Sequence, residues 1–147
     1  MYVQKHAGRY ISKLSNKVRR RIDAFSKSND FSGSQGKVLH FLLAQPGDIF
    51  QKDIEEEYCL RPSSATELLK KMEENGLIKR VSIKEDGRKK KIILTDKALQ
   101  YKDIVERDIT ALEDDLKKGI SEEDLEVFFK VTQKMLDNAY KAVMLLV

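Results

Sequence analysis

At Asn75-Gly76 the hydrophobic period of this chain changes, and that change constrains the fold more than any other feature. In "PSSATELLKKMEEN" the apolar residues Ala65, Leu68, Leu69 and Met72 recur at the spacing of one helix face. Past the glycine, "LIKRVSIKEDGRKKKIIL" reads as two strands around Asp86-Gly87, a dipeptide suited to a hairpin turn. Gly76 supplies a left-handed stop for the helix. A helix that ends there and runs directly into a hairpin must share a core with it.

What precedes the helix narrows the choice. A short helix is expected over residues 51–58, with Ile54 and Tyr58 on one side and Glu55, Glu56 and Glu57 solvated. The connection at Cys59–Arg61 and the helix after it give helix-turn-helix proportions. Pro62 suits a first-turn position, where its missing N–H has no intrahelical role. Ser64 and Glu67 offer an alternative capping box one turn later. A helix-turn-helix followed by a hairpin is a winged helix. Ser32 with Gln35 has capping-box spacing and opens a preceding helix, with Val38, Leu39, Leu42 and Leu43 inward and Pro46-Gly47 as its stop.

Long amphipathic helices flank this unit. Ile11, Leu14, Val18, Ile22 and Phe25 mark one, expected to stop near residues 27–30, where Ser and Asn cluster. Thr95-Asp96 opens another, carried by Ala98, Tyr101, Val105, Ile109, Leu112 and Leu116 and broken at Gly119. Ser121 with Asp124 opens the last, whose apolar residues run from Leu125 through Phe128, Phe129, Met135, Leu136 and Tyr140 to Val143. The expected fold class is mainly α with a small β-hairpin wing. A winged helix-turn-helix occupies residues 31–97, and helical dimerisation parts occupy 1–30 and 98–147, within one domain. These long helices exceed what a winged helix needs to cover its core, which points to a homodimer.

Charge locates the partner. The net charge of +4 is modest, but residues 61–97 hold eleven Lys/Arg against six Asp/Glu, while residues 98–147 hold seven against eleven. A basic middle beside an acidic end suggests one localised anionic partner. No apolar run approaches the roughly 18 residues of a membrane span. The first ten residues lack the apolar region of a signal peptide. With a single Cys as well, a cytoplasmic protein without a disulfide framework is expected. No Ser/His/Asp or Cys/His constellation, P-loop or Rossmann glycine pattern is present, so an enzyme is not expected. His6, His40 and Cys59 are too widely separated to suggest a zinc site, and no cofactor is expected. Cys59 is expected to pack as a small hydrophobe near the turn. A thiol switch there is a minor alternative.

The stretches "RPSSATELLKKMEENGLIKR" and "DGRKKKIILTDKA" resemble the MarR family of bacterial winged-helix transcription regulators. In that family a similar helix ends in Leu-Glu-Glu-x-Gly-Leu-Ile, and a wing with Asp-x-Arg leads to an apolar run and Leu-Thr. Here these positions read Met72-Glu73-Glu74-Asn75-Gly76-Leu77-Ile78, Asp86-Gly87-Arg88 and Leu94-Thr95. Met72 replaces the usual Leu, and Arg61-Pro62 stands where a small capping residue is commoner. The resemblance covers nearly the whole chain. It implies a single MarR-like domain over residues 1–147, interleaved terminal helices across a two-fold axis, and one winged helix on each half of a palindromic operator in double-stranded DNA.

The candidate DNA-binding residues follow from both readings. Second helices of this kind meet base edges with their N-terminal part, which here presents Ser63, Ser64, Thr66, Glu67 and Lys70, with Arg61 just ahead for guanine or phosphate. Ser63 and Ser64 equally suit capping. Arg88 at the hairpin tip suits insertion into the minor groove. Asp86, two residues earlier, is placed to hold its guanidinium, and the family pattern implies the same pairing. Lys84, Lys89, Lys90 and Lys91 suit phosphates, though strand alternation puts only some of them on the DNA side. Arg19, Arg20 and Arg21 read as a solvated run, with a flanking phosphate contact as the alternative. MarR-like proteins are often released from DNA by small aromatic or lipophilic acids. Tyr10, Arg21, Phe25 and His40 are the candidate pocket residues for such an effector. The competing function is a winged helix used for protein contact without DNA, against which the basic wing argues.

Overall fold

The computed structural model describes residue 1, residues 4–26 and residues 31–146, with residues 25 and 26 described by backbone alone. Contacts divide the chain into two compact units, Met1–Leu112 and Glu113–Val147. In the first unit, α1 (Ala7–Ser26) follows the expected periodicity. Its predicted stop, at residues 27–30, lies outside the described residues. Helix α2 (Gly33–Ala44) starts as Ser32 predicts, with the serine Oγ accepting from the Gln35 N–H at 3.4 Å. The capping box is only half made. The buried Gln35 side chain instead accepts from Asn75 Nδ2 at 2.9 Å, so the start of α2 is tied to a residue forty positions on.

The helix-turn-helix comprises α3 (Gln51–Glu57) and α4 (Pro62–Glu74). Asp53 Oδ2 accepts the Phe50 N–H at 2.8 Å and opens α3. Pro62 takes the first helical position of α4, after Arg61 as N-cap. The alternative box at Ser64 and Glu67 is therefore not used, because the helix begins a turn earlier. Helix α4 ends as a Schellman motif: the Leu77 N–H reaches Met72 O and the Gly76 N–H reaches Glu73 O, each at 3.0 Å. Gly76 sits at φ +73°. A methyl there would meet only Lys97 Cδ at 3.7 Å, so the objection to a side chain is backbone conformation and not space. Gly76→Ala is expected to destabilise the fold by about 1–2 kcal/mol, read as a lowered urea midpoint.

The wing is β2 (Ile78–Ser82) and β3 (Lys90–Leu94), antiparallel, with Ile78 opposite Leu94 and Ser82 opposite Lys90. A third strand, β1 (Ile49–Phe50), pairs antiparallel with β3 and makes the order β1-β3-β2. The sequence reading missed β1, because two residues show no period. Thr95 caps the next helix with its hydroxyl on the Ala98 N–H at 3.2 Å. The single helix expected there is two, α5 (Asp96–Gln100) and α6 (Lys102–Lys117). They part at Tyr101, whose N–H bonds Ala98 O at 3.0 Å, a tight step of three. Its ring meets Phe31 edge-on, with centroids 5.0 Å apart.

The core gathers Val38 and Leu39 from α2, Ile54 from α3, Leu69 and Met72 from α4, then Leu77 and Ile78. It fixes α4 by its inner stripe and leaves the opposite face to solvent. In the second unit, Gly119 at φ +77° breaks the chain, and Ser121 Oγ accepts from the Asp124 N–H at 3.1 Å to open α7 (Glu122–Met144). None of the α7 residues is buried. Among the described residues, no helix is long and apolar enough to cross a membrane.

Candidate nucleic-acid interface

The outer face of α4 displays what its sequence promised. Arg61, Ser63, Ser64, Thr66, Glu67 and Lys70 are all exposed. The side chains of Arg61, Ser63, Ser64 and Lys70 have no hydrogen-bond or ion-pair partner among the described residues. Glu67 pairs with Lys71 at 3.4 Å, one turn on, with both groups well solvated. Such a pair contributes little, a few tenths of a kcal/mol. Thr66 is different. Its Oγ1 donates to Pro62 O at 2.9 Å and accepts from Gln51 Nε2 at 2.9 Å, while the same amide reaches Pro62 O at 3.3 Å. Gln51, the first residue of α3, thus ties the two helices together. No local signal marked it, because the contact depends on the crossing of α3 and α4.

The hairpin tip is built on Asp86. Its backbone carbonyl accepts from the Lys89 N–H at 3.1 Å, and its Oδ1 accepts from the Arg88 N–H at 3.0 Å. The expectation that Asp86 holds the Arg88 guanidinium is corrected here. In an Asx turn the carboxylate folds onto the backbone two residues ahead, and the guanidinium has no partner among the described residues. Asp86 shapes the turn and leaves Arg88 exposed upon it.

The lysines of the wing divide. Lys84, Lys89 and Lys90 are exposed. Lys89 Nζ sits 5.2 Å from the centre of the Phe50 ring, a cation–π contact that leaves the ammonium hydrated. Lys91 Nζ is bound to Asp48 Oδ1 at 2.8 Å, beside the start of β1. It is occupied within the fold, which makes it the least suited of the four to phosphate.

Arg80, which sequence reasoning did not select, joins the wing to α4. Its guanidinium donates to Glu73 Oε1 at 3.1 Å and its backbone N–H to Glu73 Oε2 at 3.0 Å. The side-chain bond from Arg80, then the backbone bond, hold the Glu73 carboxyl below its ordinary range. A lowered carboxylate stabilises the fold above its unfolded pKa, and that contribution is lost as pH falls through the folded value. This clamp therefore works at neutral pH. Arg80 Nε is buried, with no hydrogen-bond partner among the described residues. Phe50, Gln51, Lys52, Arg80, Arg88 and Lys90 line an open, cation-rich groove of about 340 Å³ between α3 and the wing.

Cys59 also departs from expectation. It is exposed, at φ +51°. The turn after α3 is a second Schellman closure, with the Leu60 N–H on Glu55 O at 2.9 Å. That closure puts Cys59 in the left-handed position and delegates the packing to Leu60, which lies against the core. Tyr58 helps to seat α3 on α2: its hydroxyl donates to Lys37 O at 2.8 Å, and burial pushes the phenol pKa up to about 12.

Of the candidate effector residues, Tyr10, Arg21 and His40 do not line the crevice that the described residues form beside α2. That crevice, of about 40 Å³, is lined by Ile22, Phe31, Gly36, Val105, Ile109 and Leu112, among others. The side chain of Phe25 lies outside the described residues. Tyr10 is exposed, with Lys13 Nζ 5.6 Å from its ring centre. Among the described residues no group of three or more His, Cys, Asp or Glu could hold a metal ion.

Comparison with known proteins agrees with this geometry. Residues 31–90 match the profile of the MarR family. Among solved structures, the chain is similar to the transcription regulator MarR from Oenococcus oeni, with 28% identity, 90% of this chain and 99% of that one covered, and a TM-score of 0.80. It shares its fold with S. aureus MepR in complex with DNA, at 24% identity, 92% and 99% coverage and a TM-score of 0.82. It also shares its fold with CouR from Rhodococcus jostii bound to p-coumaroyl-CoA, at 19% identity, 89% and 91% coverage and a TM-score of 0.75.

Proposed function

We propose that this chain, which carries a MarR-family winged helix-turn-helix at residues 31–90, is a cytoplasmic, homodimeric repressor that binds a palindromic operator in double-stranded DNA. Residues 31–97 form the DNA-binding part, and residues 1–30 and 98–147 supply the dimerisation helices. The observation that carries the reading is the pairing of two exposed basic elements. One is the entry to α4, where Arg61, Ser63, Ser64 and Lys70 have no side-chain partner among the described residues; the other is the tip bearing Arg88. The α4 entry supplies donors for base edges in the major groove, and Arg88 supplies a cation for the narrow groove beside it. The DNA-bound relative, MepR, supports the same use of the fold.

Sequencing genomic fragments selected by the purified protein tests this. A shared palindrome is expected, and its absence would overturn the reading. The wing lysines give a finer check. Lys90→Ala should reduce the slope of log K against log salt by about one, since an exposed lysine on a phosphate releases one counterion. Lys91→Ala should leave the slope nearly unchanged, because Asp48 already neutralises that ammonium. Release from DNA by a small lipophilic or aromatic acid belongs to the same proposal, supported by the acyl-CoA bound to CouR. Such a ligand acts by preferring one spacing of the two recognition helices over the DNA-bound one.

A further inference from the structure

The hydroxyl of Thr66 is committed inside the protein. It gives its hydrogen to Pro62 O at 2.9 Å and takes one from Gln51 Nε2 at 2.9 Å. Gln51 Nε2 also reaches Pro62 O at 3.3 Å. A carbonyl oxygen can only accept, so Pro62 O fixes the amide with its nitrogen inward and fixes the hydroxyl hydrogen as well. Two partners then hold the threonine in one rotamer. With its hydrogen given to Pro62 O and one of its two lone pairs taken by Gln51, the hydroxyl has lost its donor, and the Cγ2 methyl is the apolar part of this exposed side chain that can meet a partner.

We infer that Thr66 reads the 5-methyl group of a thymine in each operator half-site, with Gln51 as the residue that positions it. This rests on the DNA-binding reading above and adds a base preference to it. A hydroxyl free to rotate discriminates poorly, since it can donate or accept and suits either base edge. A hydroxyl with its hydrogen already spent cannot donate to guanine O6, adenine N7 or thymine O4. The methyl it leaves exposed gains by contact with another methyl and by excluding water from both. Thymine is the base that presents one in the major groove.

The test uses the full-length protein and the selected operator, with each thymine replaced singly by deoxyuridine and binding followed by fluorescence anisotropy. One thymine per half-site is expected at which loss of the methyl weakens wild-type binding about fourfold, the effect of one buried methyl. Thr66→Ser keeps both hydrogen bonds and removes the protein methyl, so its thymine-to-deoxyuridine ratio at that position should fall to about one. Thr66→Val keeps a methyl and should retain the ratio. Gln51→Ala should reduce the ratio with little change in binding to random DNA, which a purely structural role would not do. The inference is overturned if no thymine in the half-site shows methyl dependence, if the footprint of α4 contains no thymine, or if Thr66→Ser keeps the wild-type ratio. Failure to bind any specific site at all would instead remove the functional reading on which it rests.

Discussion

Arg88→Ala is expected to weaken operator binding by about 1–3 kcal/mol, roughly a 5- to 160-fold rise in Kd, without loss of helical signal. Arg88 stands on a turn made by Asp86, whose carboxylate and carbonyl hold the Arg88 and Lys89 N–H groups. The side chain contributes nothing to the core and has no ion pair among the described residues, so its removal should leave folding intact. Its value lies wholly in the complex. A guanidinium is weakly hydrated and planar, and it enters a narrow, electronegative groove at less desolvation cost than an ammonium. Arg88→Lys should therefore recover only part of the lost affinity while restoring the salt slope. Asp86→Ala should cost less than Arg88→Ala, because it loosens the tip but leaves the cation present. An operator titration for Arg88→Ala within twofold of wild type would sink the wing's role.

The order of most elements was legible because their boundaries carried local chemical markers. Ser32, Thr95 and Ser121 cap helices with their own hydroxyls, and Gly76 and Gly119 take left-handed backbone. Those interactions span three or four residues, which is what a sequence window can see. What escaped was set by partners distant in the chain or by too few residues to show a period. Strand β1 has two residues and forms because β3 offers an edge. The break at Tyr101 accompanies its ring packing on Phe31, seventy positions away. In the interface, the exposed face of α4 could be read from its stripe, and Arg88 from its glycine neighbour. The sorting of the wing lysines could not, because it depends on Asp48 and Phe50 arriving beside β3. Gln51 and Arg80 were invisible for the same reason. Asp86 was assigned the right location and the wrong partner: spacing placed its carboxylate near residue 88 but could not choose between that residue's backbone and its side chain.

Charging the apolar face of α7 is expected to have the second large effect. Phe128, Phe129, Leu136, Tyr140 and Val143 are between 48% and 66% exposed. Monomeric proteins seldom expose so long a row of large apolar groups, and such a row marks an interaction surface. If a second copy covers it, each side chain that becomes fully buried contributes up to about 1.5–3 kcal/mol. A self-complementary face produces a two-fold dimer, and a two-fold dimer matches a palindrome. The double variant Phe129→Glu, Leu136→Glu would bury two unpaired carboxylates from each copy in that contact, and sedimentation should show a monomer where the wild type is a dimer. No α7 residue is buried within the chain, so circular dichroism should retain the helical signal. The binding consequence follows from valency. Once one winged helix is seated, the second binds at a high effective concentration, and uncoupling them should cost about 10²–10⁴-fold in affinity for the full palindrome. Affinity for an isolated half-site should be unchanged, because α4 and the wing are untouched. A wild-type protein that sediments as a monomer, or a double variant that keeps full affinity for the palindrome, would show that the α7 face serves some other contact.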